Sequence, residues 1–274
     1  MNDQDDESIN ELEVFLPKGS TRCTQDFSKF LNEFRSHTDF FFFVCQLVGQ
    51  VDQTRIAAAK ALMPGAQSED ERRRYQKSID EPNLVLKKLQ KHSKILSQNL
   101  TNGIVNSFQR YFSSIIQSAA LKKPVILSSS QTIKFDDILK FTKHKDLVSF
   151  IVDRKINELS YGGLTDMEKY FDERLGIKMF NDNNERGLLR LFVEARNINV
   201  HNGGVVNEIF AGRVGKVEKF PYKIGDLLRF DLDDLVSLSS NAMKVAVGID
   251  VAVSAKFKLR CQTHTAWQVN GKTR

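Results

Sequence analysis

The chain has 274 residues, of which 41% are hydrophobic, so it can bury the core of one large domain or two small ones. No stretch approaches the roughly 20 consecutive apolar residues that a membrane-spanning helix needs, and the N-terminus lacks the basic and apolar segments of a secretory signal. The formal net charge of +6 suits a polyanionic partner, although a well-solvated soluble protein explains it as readily.

Acidic residues are concentrated at the N-terminus: Asp3, Asp5, Asp6, Glu7, Glu11 and Glu13. Because few apolar residues accompany them, we predict a flexible acidic tail over residues 1–25. From Asp26 onward, phenylalanines recur at helical steps, as at Phe27, Phe30 and Phe34, which predicts an amphipathic helix. The stripe lacks interleaved basic groups, so we expect it to form core rather than to stack on bases.

Two further helices complete a predicted N-terminal extension over residues 26–80. One runs over residues 53–63 and ends where Pro64 cannot continue the backbone hydrogen bonds. The other is the highly charged stretch over residues 68–77. Its Arg72-Arg73-Arg74 run could meet phosphates, but we expect a solvated helix face.

Residues 83–260 are predicted to form the main bundle, so that residues 26–260 make a single domain. The longest periodic segment follows Pro82 and ends before Pro124. The remaining predicted elements are helices over 136–141, 146–159 (closed by Gly162-Gly163) and 165–176, a motif helix over 184–202, a small β-hairpin or extended arm over 217–230, a closing helix from Asp231 or Asp233 through Val253, and a poorly anchored tail over 261–274. Nearly every signal is helical with short connections, so the predicted fold class is all-α.

The motif helix ends in an unusual group of residues, Glu194-Ala195-Arg196-Asn197-Ile198-Asn199-Val200-His201-Asn202-Gly203-Gly204. It joins a phosphate-binding cation, Arg196, to a proton carrier, His201. Five positions correspond to about 500° of rotation, so these two side chains point about 140° apart on an ideal helix. A site that uses both needs either a helix that unwinds near His201 or a groove completed by a second copy of the chain.

The arginine–histidine spacing alone is weak evidence, because it occurs often by chance in a basic chain. Ordinary structural roles also fit: Arg196 can bridge to acidic neighbours, His201 can cap carbonyl groups at the helix end, and Asn202-Gly203 can terminate the helix. The context is more specific, since the pair closes a predicted amphipathic helix and the polar Asn197 follows the arginine.

Residues 194–207 resemble the signature helix of the HEPN-domain family (higher eukaryotes and prokaryotes nucleotide-binding), with an arginine, a polar residue, three further positions and a histidine. The long helix that precedes shorter helices and the motif helix also agrees, so the resemblance covers about residues 83–258. It implies an antiparallel helical bundle, a homodimer in which two motif helices meet, and a metal-independent RNA endonuclease. Two copies of Arg196 and His201 would then converge on one cleft.

Cleavage of RNA would give each side chain a role. His201 would transfer a proton to or from the 2′-hydroxyl or the leaving 5′-oxygen, and Arg196 would hold the scissile phosphate through forked hydrogen bonds. Asn197, one turn before His201, would orient the imidazole or a phosphate oxygen, while Glu194 would polarise His201 and Asn202 would support the site. The expected products are a 2′,3′-cyclic phosphate and a 5′-hydroxyl.

No metal or cofactor is expected. The three cysteines are far apart with no CxxC pair, which argues against a disulfide framework and a thiolate zinc site. The remaining histidines show no ligand spacing: His37, His92, His144 and His264. We therefore predict a cytoplasmic protein without membrane contact.

The resemblance also suggests a biological setting, a toxin-antitoxin or antiphage defence system with an antitoxin or another defence protein as partner. Two other functions fit the sequence. One is a non-catalytic helical adaptor, whose dimer surface or acidic tail recruits a partner. The other is a module that binds nucleotides or single-stranded nucleic acid without cleaving it, for which binding should weaken steeply with salt.

Overall fold

A computed structural model describes residues 14–128, 132, 134–217 and 219–270. These residues are mostly helical, which confirms the predicted all-α class. The described helices are α1 (Gln25–Leu62), α2 (Glu69–Asp80), α3 (Leu84–Gln90), α4 (Ser93–Lys122), α5 (Phe135–Ile138), α6 (His144–Tyr170), α7 (Asn183–His201), α8 (Glu208–Val214), α9 (Leu232–Phe257) and α10 (His264–Asn270). The described strands, β1 (Arg22–Cys23) and β2 (Gln262–Thr263), pair antiparallel.

α1 is one continuous helix of 38 residues, whereas the sequence predicts a separate helix over residues 53–63. The stretch that joins the two predicted helices contains no proline, and its single Gly49 lowers helix stability by only about 1 kcal/mol. The helix ends as predicted before Pro64, which lies in a short 3₁₀ turn.

The long periodic segment after Pro82 is divided into α3 and α4. The backbone N–H groups of Lys91 and His92 bond to carbonyls three residues back, so the chain tightens into a 3₁₀ turn between the two helices. Asp52 of α1 accepts hydrogen bonds from the backbone N–H groups of Val85 and Leu86, and this contact fixes the start of α3 against α1.

α6 contains the break that Gly162-Gly163 predicts. Gly163 has φ 75° and ψ −164°, outside the helical region, so the helix kinks there. The helices predicted over 146–159 and 165–176 therefore follow each other without an intervening loop. A π-helical turn, Phe171–Leu175, ends the second part, and Gly176 follows it in the left-handed conformation (φ 60°).

The N-terminal segment is anchored earlier than predicted. The Phe15 backbone N–H donates a hydrogen bond to Ser240 Oγ of α9 (2.9 Å), and Thr24 caps α1. The predicted tail over residues 1–25 is thus too long at its C-terminal end, because contacts with α9 fix the chain before α1 begins. Residues 1–13 lie outside the described residues.

The predicted C-terminal tail over residues 261–274 also needs correction. It forms β2 and α10, and Trp267 Nε1 donates a hydrogen bond to the Cys23 carbonyl of β1 (2.8 Å). The two ends of the described chain therefore pack against each other. Residues 271–274 lie outside the described residues.

The segment predicted as a hairpin or extended arm over residues 217–230 pairs with the turn after α7. Val205 forms an antiparallel bridge with Leu227, and the Leu228 N–H donates to the Gly204 carbonyl (2.9 Å). In the described part of this segment, pairing is therefore with the motif region. α8, which the sequence patterns do not predict, lies between the two paired stretches.

The core is centred on α4, which packs against α1, α6, α7 and α9. The predicted aromatic stripe of α1 is buried, with Phe27, Phe30 and Phe34 each at most 2% exposed. Phe30 stacks on Tyr111 of α4 with ring centroids 5.5 Å apart. This burial confirms the stripe as core.

Among the described helices, α9 is the one whose length and hydropathy would also allow it to cross a membrane. Its most apolar window is 56% buried inside the protein, and the helix contacts α4 and α7. A core helix of a soluble protein has the same properties, so packing against α4 and α7 accounts for its composition.

Candidate functional site

α7 forms the motif helix, and its sequence explains where it begins. Asp182 caps the first turn by accepting a hydrogen bond from the Glu185 backbone N–H (2.8 Å). The four predicted core residues are all buried: Leu188, Leu191, Ala195 and Ile198. The burial of this stripe orients the rest of the helix, including Arg196 and His201.

His201 is the last residue of α7 and is exposed. The helix does not unwind before it, since the Asn202 N–H donates to the Ile198 carbonyl at 2.8 Å. Arg196 and His201 therefore stay about 140° apart on one regular helix. A site that combines the two side chains requires a second copy of α7.

Two amide side chains hold the guanidinium of Arg196. Its Nε donates to Asn106 Oδ1 of α4 (2.9 Å), and its Nη1 donates to Asn197 Oδ1 (3.1 Å). No carboxylate among the described residues pairs with Arg196, and its Nη2 has no protein partner there. The expected ordinary role, a bridge to acidic neighbours, is therefore not seen, and the guanidinium keeps its charge and an open edge for a ligand.

The hydrogen bonds continue from Asn197 to α8. Asn197 Nδ2 donates to Glu194 Oε2 (3.2 Å), and the same carboxylate forms an ion pair with Arg213 Nη1 (3.3 Å). Glu194 is 3% exposed, so Arg213 and Asn197 offset the cost of burying its charge. A polar chain thus runs from α8 through α7 to Asn106 of α4, with Arg196 near its end.

This network gives two predicted site residues other partners than His201. The Asn197 amide bonds to Arg196 and Glu194, and the Glu194 carboxylate bonds to Asn197 and Arg213. Neither side chain has a described contact with His201. In the structure Asn197 accepts a hydrogen bond from Arg196, and Glu194 in turn holds Asn197.

Asn202 stabilises the turn that follows α7. Its Nδ2 donates to the Val205 carbonyl (2.7 Å), and Gly204 then adopts φ 85°. This positive φ favours glycine, whereas the nearest atom to a Cβ at residue 204, Gln98 Nε2 at 2.7 Å, is the end of a flexible side chain that can move away. The expected terminator role of Asn202 and the glycines fits these contacts.

A row of polar side chains on α4 faces the C-terminal half of α7. Gln98 Nε2 donates to Asn199 Oδ1 (3.1 Å), and Asn199 Nδ2 contacts Asn102 Oδ1 (3.4 Å). Asn106, one turn further along α4, binds Arg196. The two helices thus meet along an amide seam that leads from the end of α7 to Arg196.

The seam opens into a cavity of about 290 Å³. Its floor consists of buried apolar side chains: Phe112, Ile116, Leu159, Met167 and Phe171. Its mouth is polar and is formed by the following residues: Asn106, Gln109, Arg110, Ser113 and Arg196. His201 is not part of this lining, so within one chain Arg196 and His201 lie on different surfaces.

Arg110 places a second guanidinium at the mouth. Its Nη2 pairs with Glu33 of α1 (2.5 Å), and the pair is exposed, at 57% and 42% of the two side chains. His37 lies nearby on α1. Its ring packs against Gly103 of α4, where an added Cβ would lie 2.6 Å from His37 Nδ1. Burial lowers the pKa of His37, which favours a neutral imidazole at neutral pH.

Sequence reasoning missed Asn106 and Arg110. They stand 90 and 86 positions before Arg196, and nothing in local spacing connects them to it. One signal is present in the sequence, since Gln98, Asn102, Asn106 and Arg110 recur every four residues along one face of α4. Such a polar row marks a helix face that does not enter the core.

Comparison with known proteins does not extend these observations. No family model matches the chain, and neither a curated protein nor a solved structure matches it. Among the described residues there is also no group of three or more His, Cys, Asp or Glu side chains that could hold a metal ion. The functional assignment therefore depends on the motif and on the geometry around Arg196.

Proposed function

We propose that the protein is a metal-independent RNA endonuclease of the HEPN type that acts as a homodimer. Support comes from the Arg196 guanidinium, which two amides orient and no described carboxylate neutralises. A guanidinium with a fixed plane and an open edge suits a phosphate oxygen, because charge-assisted hydrogen bonds to phosphate depend on that geometry.

In the proposed reaction the substrate RNA supplies the nucleophile. The 2′-oxygen bonds to phosphorus while the bond from phosphorus to the 5′-oxygen breaks, which leaves a 2′,3′-cyclic phosphate and a 5′-hydroxyl. Arg196 stabilises the negative charge that develops on the phosphoryl oxygens. His201 moves protons, accepting one from the 2′-hydroxyl or donating one to the 5′-oxygen.

A homodimer would bring Arg196 and His201 together although they point apart on each α7 helix. Arg196 of one protomer would act with His201 of the partner subunit, across a two-fold axis beside the C-terminal ends of both α7 helices. Exposed apolar side chains lie on the elements that meet at this end of α7: Val200, Ile209 and Ile224, with exposures of 52%, 64% and 59%. Such exposed apolar groups are what a second copy would cover.

A conditional RNA-cleaving enzyme suits a toxin-antitoxin or antiphage system, so we include an antitoxin or another defence protein among its expected partners. A cytoplasmic location follows from the same proposal, because its substrate would be cellular RNA.

Cleavage by the purified protein tests the proposal. The wild type should cleave RNA in EDTA and leave cyclic-phosphate ends, and R196A and H201A should each lower the rate by at least about 100-fold while remaining folded. Cleavage that both variants retain would contradict the assignment and favour the adaptor. RNA that is bound in a salt-dependent way but left intact would favour the non-cleaving module.

Mixing the two inactive variants tests the shared site. After exchange of subunits, R196A with H201A should recover up to about a quarter of the wild-type rate, since half of the dimers are mixed and each mixed dimer has one intact site. If the subunits exchange but the cleavage rate does not recover, the site is not built across the dimer.

The interface has a matched control. V200E should give a monomer without cleavage activity, because it places a charge among apolar side chains at the proposed contact. V251E alters a valine of nearly equal exposure on α9, 55% against 52%, and should leave the mass in solution and the cleavage rate unchanged. Equal behaviour of the two variants would contradict the proposed interface.

A further inference from the structure

The cavity beside Arg196 has two chemically distinct parts. The floor presents only hydrocarbon, aromatic and thioether groups, and its five side chains are each at most 7% exposed. The mouth, by contrast, carries two guanidinium groups, two amides and the hydroxyl of Ser113. A molecule that fills this space must therefore be apolar at one end and polar at the other.

The groups at the mouth have donors without partners among the described residues. These are Nη2 of Arg196, Nη1 of Arg110, Nδ2 of Asn106 and Nε2 of Gln109. These four donor groups, two of them cationic, do not belong to the buried side-chain atoms that lack a partner, so water reaches them in the free protein and an anionic ligand can take its place. Glu33, the acid that pairs with Arg110, is exposed, and an ion pair at an exposed position is weak.

We propose that this cavity binds a small amphipathic anion, an organic acid whose carboxylate bonds to Arg196 and Arg110 and whose apolar body lies against Leu159 and Met167, the floor side chains that keep accessible surface. The opposite charges account for the head, since carboxylates match the forked donors of guanidinium. The apolar floor accounts for the body.

The same floor disfavours a nucleobase. The edge of a base carries hydrogen-bonding groups, and burial against Ile116, Leu159 and Met167 would leave them without partners at a cost of about 1–3 kcal/mol each. A hydrocarbon or aryl body loses no hydrogen bonds there. The site is therefore distinct in its chemistry from a pocket for an RNA base.

Occupancy would also affect the proposed reaction. The head would take the Nη2 edge of Arg196 that the RNA phosphate is proposed to use, so ligand and RNA exclude each other. This regulatory consequence rests on the proposed function, whereas binding of the acid does not.

Binding to the purified full chain, measured without RNA, tests the site. The probes are 2-naphthoate, the neutral 2-naphthamide, and acetate. We expect 2-naphthoate to bind at least about tenfold more tightly than either of the others, because only it has both an anionic head and an apolar body. Equal affinities for the acid and the amide, or no binding of the acid at millimolar concentration, would overturn the proposal.

Two substitutions locate the site. R196Q should weaken 2-naphthoate binding about tenfold or more and leave 2-naphthamide binding unchanged. R154Q, at an exposed arginine of α6, is the matched control and should change neither. If R154Q weakens binding as much as R196Q, net charge rather than this cavity explains the interaction, and the proposal fails.

Inhibition provides the third measurement. 2-Naphthoate should raise the apparent KM of the wild type for RNA without lowering kcat. The M167W variant, whose larger side chain fills the floor of the cavity, should not show this effect. Thermal unfolding checks that M167W is folded. If the protein binds 2-naphthoate but does not cleave RNA, the proposed function fails and the site stands; cleavage with no binding of the acid gives the reverse result.

Discussion

Arg196 of α7 and Asn106 of α4 are joined by a hydrogen bond of 2.9 Å from Nε to Oδ1 across 90 positions of sequence. With the bond from Arg196 Nη1 to Asn197, it fixes the plane of the guanidinium without neutralising its charge. An arginine that serves only to hold two helices together would be expected to pair with a carboxylate if one were available. The two amides instead fix the position of the Arg196 guanidinium and leave its positive charge without a carboxylate partner.

N106D tests whether cleavage needs an Arg196 guanidinium that is not paired with a carboxylate. The new carboxylate keeps the acceptor for Arg196 Nε and adds an ion pair, so we expect the free energy of unfolding to stay within about 1 kcal/mol of wild type or to rise. RNA cleavage at low substrate concentration should fall about tenfold, because the guanidinium would then be paired and less available to phosphate. Urea denaturation and initial cleavage rates measure the two effects.

A matched substitution on the same seam provides the control for N106D. Asn102 also bears an amide and lies one turn earlier on α4, where it contacts Asn199 rather than Arg196. N102D should therefore change cleavage much less. If N106D and N102D reduce cleavage equally, the added charge on α4 and not the state of Arg196 controls the reaction.

The sequence predicts much of the fold because its local signals agree with the packing. The α1 stripe of Phe27, Phe30 and Phe34 has the period of a helix and is buried, and Asp182 caps α7 within one position of the predicted start. The continuity of α1 through Gly49 could not be read in the same way. Local propensity there is nearly neutral, and packing against α3 through Asp52 decides the outcome.

The candidate site could be predicted only in part for a related reason. The motif itself is local, so its spacing alone indicates Arg196 and His201 as candidates. The partner of Glu194 is Arg213 on α8, a helix of seven residues too short to show a clear period. Asn106 is fixed by the tertiary contact of α4 with α7, which no local pattern encodes.

Asp250 joins α9 to the start of α1 and offers a prediction on stability. Its carboxylate accepts hydrogen bonds from the backbone N–H (3.0 Å) and the hydroxyl (2.5 Å) of Thr24, and both residues are buried. D250A would leave these donors without an acceptor, and we expect it to lower the free energy of unfolding by about 2–4 kcal/mol. D250N, which retains one acceptor oxygen, should cost less.

Urea denaturation at neutral pH checks the order of the two Asp250 variants. The exposed Asp39 of α1 provides the control, since D39A removes a carboxylate that is not buried and should change stability by less than about 0.5 kcal/mol. Equal destabilisation by D250A and D250N would contradict a role based on accepting hydrogen bonds.

Asp26, in the first turn of α1, should make stability depend on pH. Burial raises its pKa above the ordinary value of 3.8 and outweighs the opposing effects of the hydrogen bond from Ser118 and the charge of Lys29. The folded state therefore holds the proton more tightly than the unfolded state, and stability falls as pH rises from 3.8 through the folded-state pKa. D26N removes this loss and should be more stable than wild type at pH 7.5, with the difference shrinking as the pH falls toward 3.8.

Urea denaturation from pH 4 to pH 8 measures the difference, with D39N as the exposed control on the same helix. A difference that stays constant over this range would show that folding does not raise the pKa of Asp26. A D26N variant less stable than wild type at pH 7.5 would show that the lost interactions of the carboxylate outweigh the cost of burying its charge.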